Sequence, residues 1–98
     1  MIKEVADSLQ SSETPVLKKI YDKNGTKLLV IGLKQGVVLK EHMAPSGAKL
    51  IVMQGEIDYN TETSSYRFAQ LDIYDIPKKV SHSVVAIEDA VFLLLLAK

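Results

Sequence analysis

The stretch Asp72-Ile73-Tyr74-Asp75-Ile76-Pro77-Lys78-Lys79-Val80-Ser81-His82 decides how this chain is read. Asp72–Ile76 is a short extended run, and Pro77 stops it because proline has no N–H to give to a strand ladder. Lys78-Lys79 is a solvated turn, and Val80–Ile87 resumes an extended run that contains His82. Upstream, Gly36-Val37-Val38-Leu39-Lys40-Glu41-His42-Met43-Ala44 has a related layout. Gly36 breaks the chain, Val37–His42 extends, and the loop Ala44-Pro45-Ser46-Gly47 follows. Each of the two histidines therefore sits in an extended segment next to a turn.

The remaining chain follows the same pattern from Val16 onward. Val16–Asp22 and Thr26–Lys34 flank Lys23-Asn24-Gly25, and Asn-Gly is the strongest short hairpin signal because a type I′ turn needs φ > 0 at both central residues. Ala48–Asn60 is a longer run with Gly55 inside it, which marks a bulge or a sharp bend such as a barrel corner. Thr61-Glu62-Thr63-Ser64-Ser65 turns into Tyr66–Leu71, and Glu88-Asp89 turns into the closing run Val91–Ala97. Eight or nine short strands without an intervening helix predict a sandwich or barrel. The last run is apolar on both faces, so both must be covered, and a homodimer is the economical cover for the outer one.

Residues 1–14 read differently. Ile2, Val5, Ala6 and Leu9 follow i, i+3, i+4, i+7, the stripe of a short amphipathic helix, and Thr14-Pro15 ends it. The expected organisation is a helical flap over 1–14 and one barrel domain over 15–98. Twelve Lys and Arg balance twelve Asp and Glu, so the basic surplus of a nucleic-acid binder is missing and charge-driven membrane attachment is unsupported. There is no cysteine, which removes disulfides and thiolate chemistry and fits a cytoplasmic protein. The longest apolar run, Ala90–Ala97, is far below the ~20 residues that span a bilayer.

The two histidine stretches, in this order, resemble the two motifs of the cupin family. Gly36 to His42, closing at Gly55, is similar to the first motif, which reads Gly, five residues, His-x-His, Glu, then Gly. Asp72 to His82 is similar to the second, which reads Gly-Asp, three residues, Ile-Pro, then His. The resemblance covers roughly residues 26–97 and implies an all-β, double-stranded β-helix (jelly-roll) barrel, here with a short N-terminal helix. Metal-binding cupins supply two His and one Glu from the first motif and one His from the second. At those positions this chain has His42, Ala44, Ala48 or Lys49, and His82, and the Gly-Asp of the second motif is Leu71-Asp72.

Two imidazoles do not complete the three or four ligands of a catalytic transition-metal site, and a cationic Lys49 nearby would disfavour a divalent ion. No cofactor is therefore expected, and a divalent Fe, Mn, Ni or Zn would need His42, His82 and possibly an inward Asp75. By period-2 alternation, Leu50, Val52 and Gln54 share a face, so Gln54 is expected to join His42 and His82 as polar groups of an apolar pocket. Tyr21, Tyr59, Tyr66 and Tyr74 are ordinary strand residues, although a tyrosine-lined pocket suits a small aromatic or polar ligand. The expected function is binding of an unidentified small molecule by a homodimer. A metal-dependent enzyme of dioxygenase or isomerase type and a stand-alone sensor domain are the alternatives, and neither nucleic acid nor membrane is an expected partner.

Overall fold

In a computed structural model, the chain is described over residues 14–42, 48–77 and 80–96. Nine strands follow one another: β1 (Val16–Lys23), β2 (Thr26–Leu33), β3 (Val38–His42), β4 (Ala48–Gln54), β5 (Glu56–Asn60), β6 (Ser65–Ala69), β7 (Ile73–Ile76), β8 (His82–Ala86) and β9 (Ala90–Leu96). They form two antiparallel sheets, one in the order β1-β2-β9-β4-β7 and the other β3-β8-β5-β6. This is the expected all-β jelly roll. The expected helix over 1–14 lies outside the described residues apart from Thr14.

The β1–β2 hairpin closes at Asn24 and Gly25, both with positive φ (55° and 80°), as a type I′ turn requires. The long run expected over 48–60 is two strands in two sheets. At Gly55, with φ +79°, the chain leaves β4 in the first sheet and enters β5 in the second. Gly55 is the barrel corner that its place in the sequence suggests.

The core lies between the sheets, in rows fixed by register. Ile31, Phe92 and Val52 face one another across β2, β9 and β4, and Leu29, Leu94, Leu50 and Tyr74 form the next row. Opposite them, Leu39, Val84, Tyr59 and Tyr66 run across the second sheet. Ile31, Leu50, Val52, Ile57, Tyr59, Val84 and Phe92 are fully buried. At roughly 1.5–3 kcal/mol for each large apolar side chain, these rows dominate the stability of the barrel.

Leu71 stands where the second motif has glycine, and it keeps the glycine-like backbone with φ +74°. Its amide donates to the Val52 carbonyl at 2.8 Å, while Asp72 closes the turn by accepting the Ala69 amide on Oδ2 at 2.8 Å. The Leu71 side chain is 75% exposed and contributes little packing against the left-handed strain. Leu71→Gly is expected to raise stability by about 0.5–1 kcal/mol and the thermal midpoint by about 2–6 °C, read by circular dichroism melts. A lower midpoint in the glycine variant would show that the leucine side chain supports the turn.

Candidate functional site

β5, β6, β7 and β8 bring five rings together at the seam where the two sheets meet. Tyr59 is central on β5, with Tyr66 directly opposite on β6 and Phe68 two residues further along the same strand. Tyr74 reaches in from β7 of the other sheet, where register sets it beside Leu50 on the inner face. His82 opens β8. The Tyr59 ring stacks on the His82 imidazole with centroids 4.9 Å apart at 23°. It also meets Tyr74 at 5.1 Å, Phe68 at 6.3 Å and Tyr66 at 6.4 Å, and Phe68 meets Tyr74 at 4.9 Å. Alternation along the four strands produces this convergence, because the rings share the face turned toward the seam.

Two polar side chains of this cluster, His82 and Tyr59, are buried. His82 is 2% exposed, and its Nδ1 lies 3.2 Å from the Val80 carbonyl. An Nδ1–H donated there places the proton on that nitrogen and leaves Nε2 as an acceptor. The Tyr59 hydroxyl is buried with no hydrogen-bond partner among the described residues. Burial pushes the Tyr59 phenol up to about 12, with the neighbouring phenols Tyr74 and Tyr66 adding to the rise. Burial, and then Tyr66, also raise Tyr74. Tyr59 and Tyr74 are therefore protonated at neutral pH and able to donate.

The two histidines are brought together at the level of the backbone. His42 ends β3 and His82 begins β8, and they are Cα partners in the β3–β8 ladder. The side chain of His42, like Met43 and Ala44, lies outside the described residues.

Two expectations are corrected. Gln54 does not share the inward face of Leu50 and Val52. A register shift between Val52 and Gln54 breaks the alternation, and Gln54 is exposed. Asp75 is not an inward carboxylate either: its side chain is 78% exposed and accepts the Lys49 ammonium at 3.0 Å. Lys49 and Asp75 are cross-strand partners on the outer face of β4 and β7, so Lys49 is also not a cation inside the barrel. Ala48 takes the inward position beside Ile76 and Leu96.

A transition metal held as cupins usually hold it does not fit the side chains described. Ala48 offers no donor where the motif needs a carboxylate, Lys49 and Asp75 face outward, and the Tyr59 ring packs on the face of His82. Among the described residues no three His, Cys, Asp or Glu side chains gather in one place. On the outer face of the second sheet, Arg67 grips Asp58 through two bonds of 2.8 and 3.1 Å and reaches Glu56 at 3.4 Å. That clasp holds the Asp58 carboxyl below its usual range. It ties β5 to β6 behind Tyr59 and Tyr66.

Phe68 belongs to neither histidine motif and to none of the candidate site residues that the sequence suggests. Its two-residue spacing from Tyr66 is the signal that places it on the same face.

No protein-family model and no curated protein matches the sequence. Solved structures do. A conserved protein of unknown function from Streptococcus pyogenes superposes with a TM-score of 0.81 at 19% identity, over 90% of this chain and 77% of that one. An uncharacterised protein with a double-stranded β-helix domain from Klebsiella pneumoniae gives 0.81 at 19%, over 94% and 85%. A cupin superfamily protein from Desulfitobacterium hafniense gives 0.80 at 11%, over 85% and 76%. At these identities the likeness concerns the fold. The chain has the cupin fold, a small double-stranded β-helix barrel.

Proposed function

We propose that this cupin-fold domain binds a small, flat organic molecule carrying an acceptor oxygen, such as a carboxylate or ketone, without a complete metal site. The observation that carries the reading is the buried Tyr59 hydroxyl with no partner among the described residues. An orphaned buried hydroxyl costs about 1–3 kcal/mol, a penalty that a ligand oxygen would remove. Phe68, Tyr74 and the imidazole of His82 supply aromatic walls, and flat rings pack on such walls with an additional ~0.5–1.5 kcal/mol per contact. Tyr66, 44% exposed at the edge of the cluster, is the ring whose rotation opens it. His42 is the Cα partner of His82 in the ladder.

The chain has no tryptophan and three of its four tyrosines lie in the cluster, so tyrosine emission reports chiefly on it. Titration with benzoate, acetophenone and benzylamine is expected to show saturable quenching with the first two. Tyr59→Phe is expected to weaken it about 5–10-fold, the value of one hydrogen bond. Quenching by benzylamine alone would overturn the acceptor-oxygen reading. A thermal shift with Fe, Mn, Ni or Zn that His82→Ala abolishes would overturn the metal-free reading and favour a metalloenzyme.

A further inference from the structure

Two features at the β7 edge of the first sheet do not serve the packing of a single chain. The first is the row Leu93, Ile51 and Ile73, cross-strand partners on β9, β4 and β7. Phe92, Leu94, Leu50, Val52 and Tyr74 pack toward the core from the same strands, so by alternation this row faces outward. An outward row of an antiparallel sheet is ordinarily polar, yet this one ends on Ile73 with 64% of its surface exposed. The second feature is Leu71, 75% exposed in the turn that leads into β7. It holds a left-handed backbone, φ +74°, that glycine would adopt without strain. Leu71 and Ile73 are the two most exposed large apolar residues among those described. Backbone strain is held where it serves function, and clustered exposed apolar surface marks contact sites.

We infer that a second copy of this chain docks here, face to face across a two-fold axis. The charges beside the apolar row select that occupant. Lys49 and Asp75 are cross-strand partners on the same outward face, and they pair at 3.0 Å with side chains 53% and 78% exposed. A two-fold axis lying between β4 and β7, and parallel to them, turns β4 of one copy onto β7 of the other. Lys49 of each copy then meets Asp75 of the other, and Ile51 meets Ile73. Two surface ion pairs become a ring of four alternating charges beside an apolar centre. The patch is thus complementary to itself, as an isologous contact demands. A partner with a uniformly acidic or basic face would meet one like charge for each opposite one. Leu71, two residues before Ile73 at the sheet edge, extends the apolar centre. The residues involved are fewer than the roughly 20–30 a side of a standard interface, so the dimer is weak, with a Kd of about 10–100 μM.

Sedimentation equilibrium of the full chain from about 1 μM to 1 mM is the test, with the mass expected to climb from monomer toward dimer. Leu71→Gly and Ile73→Asp are each expected to weaken association about 10-fold or more. Leu71→Gly should do so while the thermal midpoint at about 1 μM, where the chain is monomeric, stays level or rises. A leucine that served only its own turn would not give that split. Asp75→Lys is expected to weaken the dimer about 10-fold, and adding Lys49→Asp to restore it, because the swapped charges again alternate. A natural chain that stays monomeric at every concentration would overturn the inference. So would a dimer that Leu71→Gly and Ile73→Asp leave intact, because the copies would then meet elsewhere, or a charge-swapped variant no tighter than Asp75→Lys. If Ile73→Asp does not fold, Leu71→Gly, which relieves strain, still decides.

Discussion

Gly55→Ala is expected to lower the thermal midpoint by about 15–30 °C, a loss of about 3–5 kcal/mol, and to leave a large unfolded fraction at 37 °C. The expectation rests on two independent penalties at one atom. With φ +79°, a side chain at position 55 carries the left-handed strain of about 1–2 kcal/mol. A Cβ there would also collide with the Asp89 carbonyl oxygen, come within 2.7 Å of the Ala90 Cα and stand 2.9 Å from the Asp89 carbonyl carbon. All three are backbone atoms, so no rotamer change relieves the contact. The β4–β5 corner and the Glu88–Ala90 turn must move apart. That turn cannot yield alone, because Asp89 accepts the Gln35 amide at 2.8 Å and Ala90 begins the strand that pairs with both β2 and β4. Gly36→Ala is the control. Its φ is +83°, yet nothing lies within 4 Å of the added carbon, so only the conformational penalty applies, about 1–2 kcal/mol. Urea titrations of the two variants separate strain from collision. Equal losses in both would show that the close approach at Gly55 relaxes without cost.

The same glycine shows how far the sequence can be read. A glycine inside an extended run of thirteen residues announces a corner, and the hairpin at Asn24-Gly25 announces itself through turn chemistry. Register errors are harder to see. Leu50 and Val52 face inward as alternation requires, but the irregularity beside Met53 shifts the phase, and Gln54 turns outward. No residue in that stretch marks the shift; it arises because β4 must both pair with β9 and reach the corner at Gly55. Asp75 could not be oriented across Pro77 from sequence, and the Lys49 pairing that orients it comes from β4, some twenty-five residues away. The aromatic site was half legible. Each tyrosine alone reads as a strand residue, and only the meeting of β6 and β7 at the seam joins Tyr59, Tyr66 and Tyr74, leaving Tyr21 apart on β1. The two-faced β9 was legible as a demand for cover on both sides. The barrel interior meets one half of that demand through Phe92 and Leu94, and the outer half falls at Val91.

Tyr59 should give the other large effect, and its sign should reverse with the substitution chosen. Tyr59→Ala removes a fully buried ring that touches four others and is expected to cost about 3–5 kcal/mol. Tyr59→Phe keeps the ring, removes a buried hydroxyl that has no partner among the described residues, and is expected to leave stability unchanged or raise it by about 1 kcal/mol at neutral pH. High pH widens the gap between the natural chain and the phenylalanine variant. The Tyr59 phenol loses its proton near 10 when unfolded and at about 12 when folded. Over that window the unfolded chain binds fewer protons, so stability is fully present below pH 10 and falls as pH rises toward 12. At about 1.4 kcal/mol per pH unit the natural chain loses roughly 2–3 kcal/mol there, and Tyr74, raised for the same reason, adds loss in the same direction. Tyr59→Phe retains the Tyr74 part and escapes the Tyr59 part, so the difference between the two proteins isolates one phenol. Urea unfolding at pH 9 and at pH 11.5, with tyrosinate absorbance followed in the folded protein, measures that difference. Parallel stability curves for the two proteins across this range would mean that the Tyr59 hydroxyl already reaches solvent or a partner, and the ligand site argued from its isolation would fall with it.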